Sequence, residues 1–160
     1  MTSEDLQELL NKAYFFLKFR PRTKKEMRDY LYKKIQKRHF SRDDADNVIE
    51  ELEEKKFIDD KAFVEWFADQ RSRGKPKGSY VLKGELLRLG IEKDLIDFYL
   101  QENPLKEEDL ALKALQSKWH RFKNLPKKER FEKSAAFLSN RGFSFDLIKE
   151  AINKLQENNS

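Results

Sequence analysis

Apolar residues recur at helical spacing along the chain, and the strict alternation that marks a strand is weak throughout. Leu6, Leu9, Leu10, Ala13, Phe16 and Leu17 keep one helical face up to a break at Phe19-Arg20-Pro21. Thr23, with Glu26 three residues on, has the form of a capping box, and Met27, Leu31 and Ile35 mark the face of the helix it would start. Ser41 is placed to cap a third helix bearing Ala45, Val48, Ile49 and Leu52, with Asp43 and Asp44 in the first turn, where the macrodipole favours anions. The same order then repeats. Phe63 and Phe67 trace a helix ending near Gly74. Tyr80, Leu82, Leu86 and Leu89 trace a second, with Gly90 as its C-cap. Leu95, Ile96, Tyr99 and Leu100 belong to a third. In the last part, Leu105 to Phe122 predicts one long helix broken near Pro126, followed by Phe131 to Asn140 and, after Gly142, Phe145 to Leu155.

Three stretches overlay. Ile35, Phe40, Ala45 and Ile49 step by five, five and four residues, as do Leu86, Ile91, Ile96 and Leu100, and Leu138, Phe143, Ile148 and Ile152. A step of five crosses a turn and a step of four runs along a helix. The pattern predicts an all-α fold of three tandem three-helix units, about nine helices, each unit too small to bury much core alone. The expected bounds are residues 1–58, 59–104 and 105–160, with acidic turns such as Asp59-Asp60 starting new helices.

Charge supports a repeat. Residues 12–38 hold 11 basic and 2 acidic side chains, and residues 41–60 hold 3 and 9. Residues 61–90 are again basic, 91–118 acidic and 119–133 basic, an alternation with a period of roughly 50 residues. Charged residues make up 39% of the chain and the mean hydropathy is −0.91, yet 13 Phe, 5 Tyr and 2 Trp are too many for a disordered chain. A folded, heavily solvated protein is expected. The absence of cysteine excludes disulfide and thiolate chemistry. The acidic start MTSEDLQELL lacks the basic and apolar regions of a signal peptide, so a cytoplasmic protein is expected. Catalytic and metal motifs are missing too. The two histidines, His39 and His120, are far apart, His39 beside Phe40 suits an exposed helix end, and carboxylates fall in solvated runs such as Glu50-Glu51.

What remains is basic. KFRPRTKKEMRDYLYKK places Lys18, Arg20, Arg22, Lys24, Lys25 and Arg28 around a helix junction, a density that suits phosphates or an acidic protein surface as well as an ordinary basic face. FIDDKAFVEWFADQRSRGKPKG runs from an acidic helix start, through Phe63, Trp66 and Phe67 on one face, to Arg71, Arg73, Lys75 and Lys77 among glycines. Cations suit a helix C-terminus, and the glycines would let backbone amides approach an anion. Lys118, Arg121, Lys123, Lys127, Lys128 and Arg130 form a third basic stretch. Phe63, Trp66, Phe67 and Trp119 suit core at this spacing, with stacking on bases as the alternative; Trp66 is the candidate for partial exposure.

RPRTKKEMRDYLYKK (residues 20–34), FIDDKAFVEWFADQRSRGKPKG (57–78) and GELLRLGI (84–91) together resemble the RecX regulatory family. The likeness is strongest from residue 13 to residue 100 and continues as a helix pattern with Arg141-Gly142-Phe143 in the last third. The resemblance implies three tandem three-helix repeats in an elongated, curved right-to-left array, and a protein that is not an enzyme and needs no cofactor. It implies a partner, the RecA recombinase and its filament on single-stranded DNA, whose ATP hydrolysis, strand exchange and promotion of repressor cleavage it restrains. Arg20, Arg22, Lys24, Lys25, Arg28, Arg71, Arg73, Lys75 and Lys77 are the expected contacts with RecA or DNA, made by a monomer. One departure is YLYKKIQKRHF, expected to lengthen the first unit's second helix relative to those of the later units. The alternative is a helical module that binds DNA directly, without RecA.

Overall fold

The computed structural model describes residues 2–36 and 40–158; the His39 expectation lies outside them. The described residues form ten helices and no strand: α1 Ser3–Leu17, α2 Lys24–Ile35, α3 Arg42–Glu54, α4 Asp60–Arg73, α5 Ser79–Arg88, α6 Lys93–Glu102, α7 Glu107–Gln116, α8 Trp119–Phe122, α9 Lys127–Asn140 and α10 Phe145–Asn158. The fold is all-α, as the periodicity predicts.

Local chemistry starts and stops these helices. Thr2 with Asp5, Thr23 with Glu26 and Ser41 with Asp44 form reciprocal capping boxes on α1, α2 and α3. Asp59 accepts from the Ala62 amide at 3.2 Å, so the acidic turn starts α4. Lys56, Gly90 and Gly142 take positive φ of 65°, 91° and 87°, and each stops the helix before it. At the last of them, the Phe143 amide donates to the Leu138 carbonyl at 3.2 Å. Lys56 holds this conformation without glycine's freedom, which nothing in the sequence announces.

The fold divides into two compact units, Met1–Glu65 with Leu87–Leu95, and Trp66–Leu86 with Ile96–Ser160. In the first, α1, α2 and α3 pack on one another around Leu9, Ala13, Met27, Leu31, Val48 and Leu52. In the second, α7, α9 and α10 enclose Ala111, Leu115, Trp119, Leu138, Ile148 and Ile152. Eleven of the twelve overlaid positions are buried, and Leu100 is half-buried. The shared spacing therefore marks core.

Three expectations need correction. The predicted helix from Leu105 to Phe122 is two helices, α7 and α8. The Ser117 hydroxyl donates to the Ala114 carbonyl at 2.6 Å, ends α7, and lets the chain turn so that Trp119 enters the core. Tyr80 does not share the buried face of α5: it is 84% exposed, because a side chain two residues before Leu82 points to the opposite side of a helix. The first unit's second helix is not the longest of its kind. The 12 residues of α2 exceed the 10 of α5 but not the 14 of α9.

Candidate basic surface

The sequence-predicted cations fall at two junctions. At the first, in the unit containing α1 to α3, the connection between α1 and α2 is fastened by its own arginines. Glu26 accepts from the Thr23 amide at 3.1 Å and pairs with both terminal nitrogens of Arg20. The Thr23 hydroxyl, itself accepting from the Glu26 amide, donates to the Leu89 carbonyl at 2.6 Å and satisfies the end of α5. Arg22 donates through Nε to the Phe16 carbonyl at 3.1 Å and lies over the Phe16 ring at 3.8 Å. Burial pulls the Arg22 guanidinium below its usual value, and like-charged Arg20 adds to this. Lys24 pairs with Glu53 at 3.1 Å. Lys25 and Arg28 make no ion pair among the described residues, and the stem of Lys25 fills the space where a side chain on Gly90 would stand.

Asp60 completes this junction by accepting from the Lys24 amide at 2.9 Å, which places a carboxylate at the N-terminus of α2. Burial raises its carboxyl above the ordinary value, more than the Lys24 amide lowers it. The folded state therefore binds the proton more tightly than the unfolded chain. Stability from this group is full below the ordinary carboxylate range and is lost as pH rises through the raised pKa. Asp60→Asn keeps the acceptor without the buried charge. It is expected to match or exceed the parent at pH 7 in urea unfolding and to lose that advantage in acid, whereas Asp60→Ala drops by about 1 kcal/mol. Equal losses in both variants would refute a charge penalty at this site.

At the second junction, in the unit containing α7 to α10, α4 ends in a basic turn. Arg71 lies over Phe67 at 4.6 Å and donates through Nε and a terminal nitrogen to Glu85 Oε2, at 3.0 and 2.7 Å. Lys77 takes the other oxygen of Glu85 at 3.1 Å. Both glycine amides of the turn are occupied. Gly74 donates to Gln70 at 3.1 Å and Gly78 to Arg141 at 2.8 Å. The Ser79 amide, at the start of α5, donates to the Glu107 carboxylate at 2.7 Å. The expectation that these glycines open the backbone to an external anion is thus corrected: the anion at this helix start is the chain's own Glu107. Arg73, 76% exposed, makes only a solvent-facing pair with Asp69 at 3.0 Å, and Lys75 is exposed with no partner among the described residues.

The nine predicted cations therefore divide. Arg20, Arg22, Lys24, Arg71 and Lys77 are engaged within the fold, Lys25, Arg73 and Lys75 offer charge outward, and Arg28 is half-buried in a groove it shares with Asp46, Glu50 and Glu53. Phe63, Phe67 and Trp119 are buried and Trp66 is half-buried, so base stacking by the first three is overturned. Sequence reasoning missed Glu85. Its signal was present, since Glu85 is the only acid between residues 70 and 91, among six cations.

Family models for the first, second and third three-helix domains of RecX match residues 10–52, 59–100 and 106–152. The Regulatory protein RecX of Streptococcus thermophilus is 35% identical over 147 residues, which cover 91% of this chain and 55% of that protein; the chain spans about half the length of such streptococcal relatives. The Regulatory protein RecX of Chlorobium phaeobacteroides is 31% identical over 157 residues, 97% of this chain and 98% of that protein. A crystal structure of RecX from Lactobacillus salivarius shares the fold, with a TM-score of 0.78 over 98% of this chain and 99% of that one at 22% identity. Three domain models in order, and a relative of the same length matched almost throughout, make this chain a member of the RecX family.

Proposed function

We propose that this chain binds a RecA recombinase, chiefly as its filament on single-stranded DNA, and restrains ATP hydrolysis, strand exchange and promotion of repressor cleavage. The carrying observation is the match to regulatory proteins over nearly the whole length of the Chlorobium relative. The chain acts by binding, as a cytoplasmic monomer without a cofactor. Its contacts are the outward cations Lys25, Arg73 and Lys75, with half-buried Arg28 beside the first, and they meet acidic recombinase surface or DNA phosphate. Two such patches on one chain add through effective concentration, so modest contacts hold a polymer better than a lone subunit. Bridged subunits then resist the rearrangements that ATP turnover and filament growth require.

The test is ATP hydrolysis by the recombinase of the same organism on single-stranded DNA, titrated with this protein. Arg73→Glu/Lys75→Glu suits the purpose, because neither residue holds the fold, whereas Arg71 anchors Glu85. Reversing two exposed contact charges is expected to raise the inhibitory concentration about tenfold, equivalent to about 1.4 kcal/mol. Absence of inhibition at equimolar protein, with tight salt-sensitive binding to bare duplex DNA, would overturn this reading in favour of a direct DNA-binding module.

A further inference from the structure

The two basic junctions leave unused a constellation on α1, the turn that follows it, and α2. Phe15 and Phe19 are 59% and 67% exposed, and their rings meet edge to face at 5.3 Å. Phe15 also lines an open groove of about 390 Å³, with Lys12 on the same helix and Tyr30 and Lys34 on α2. That volume lies in the range of small-ligand sites. Tyr30 is fixed from behind by stacking on Phe16, with centroids 4.1 Å apart and planes at 3°. Lys34 Nζ stands 5.4 Å from the Tyr30 ring. Lys12 and Lys34 have no carboxylate partner among the described residues. Glu8, on the rim, is already held in an intramolecular interaction. Residues 12–36 carry nine basic and two acidic side chains, and one of those acids, Glu26, is taken by Arg20.

Large rings standing in solvent beside unneutralised ammonium groups match the chemistry of an unpaired strand, whose bases offer flat faces and whose phosphates offer charge. A duplex keeps its bases stacked inside and would use only the lysines. A purely acidic chain such as polyglutamate would likewise leave the rings in water. We infer that the α1–α2 groove binds single-stranded nucleic acid, with a base on Phe15, a neighbouring base at Phe19 and the flanking phosphates on Lys12 and Lys34. The site adjoins the first junction, where Phe16 meets both Arg22 and Tyr30, but it does not depend on the recombinase reading, since its test contains no recombinase.

The test follows fluorescence anisotropy of a labelled oligo-dT strand, a duplex of equal length and polyglutamate as competitor, across a series of salt concentrations. The strand is expected to bind more tightly than the duplex. Phe15→Ala is expected to weaken it about tenfold, the scale of one lost base–aromatic stack, with the salt dependence unchanged. Lys12→Gln/Lys34→Gln is expected to flatten the slope of log K against log salt by about 1.4, since each phosphate contact on a single strand contributes about 0.7. Phe19→Ala is a second exposed truncation should Phe15→Ala alter the melting curve. The inference is overturned if both phenylalanine variants bind like the parent, if duplex binds as tightly as strand, or if polyglutamate displaces the strand as well as unlabelled oligo-dT does.

Discussion

Leu138→Ala is expected to lower the unfolding free energy by about 2–5 kcal/mol, the range for truncating a buried leucine. Leu138 lies on α9, is fully buried, and belongs to the cluster that includes Leu115, Trp119, Phe143, Ile148 and Ile152. Shortening it removes apolar contacts and leaves a cavity that these neighbours, four of them held on three helices and Phe143 on the turn after α9, can close only in part. Its carbonyl also receives the Arg141 and Phe143 amides at 3.1 and 3.2 Å, so the side chain packs where the turn after α9 is fastened. Urea unfolding followed by tryptophan fluorescence reads the loss, because Trp119 shares the cluster. The melting temperature should fall by roughly 4–20 °C at this chain length. A loss below about 1 kcal/mol would mean that the site collapses around alanine, and that the spacing shared by Ile35, Leu86 and Leu138 does not mark critical core.

That spacing explains how much of the fold was legible. Burial of apolar positions is periodic, so the helices and nearly all the overlaid positions could be read one residue at a time. Caps were legible for the same reason: Thr23 and Glu26 act within one turn of the chain. The misses share a different physics. The end of α7 depends on a serine hydroxyl turning back to the Ala114 carbonyl, an option that any helical serine carries and few use. Lys56 adopts a left-handed conformation for which lysine has no preference. At the candidate surface, the cations could be found but not sorted. Whether an arginine faces solvent or a carboxylate depends on residues such as Glu85, fourteen positions from Arg71, or Glu107, twenty-eight from Ser79. The composition of a basic stretch counts charges, while the fold decides which are already spent.

The glycines of the second basic turn give the sharpest contrast between those two kinds of information. A methyl group on Gly78 would overlap the backbone carbonyl of Gly142, a backbone atom with no side-chain torsion to move it away. The two segments are also joined there by the bond from the Gly78 amide to the Arg141 carbonyl at 2.8 Å, so they cannot separate without losing it. Gly78→Ala is therefore expected to cost about 1–3 kcal/mol, the usual range for overpacking. Gly74, four residues earlier in the same turn, would place its methyl 3.4 Å from the Gln70 carbonyl, an ordinary contact, and its φ is not left-handed. Gly74→Ala should be neutral or stabilising by about 0.4–1 kcal/mol, through a less flexible unfolded chain. Thermal melting of the two variants checks the pair. A turn that used its glycines to cradle an anion would make both substitutions harmful to partner binding and neither very harmful to folding. A turn that uses Gly78 for close backbone approach makes only Gly78→Ala harmful. That variant should weaken recombinase inhibition as well, because Lys75 lies between the displaced segment and α4, while Gly74→Ala leaves inhibition intact.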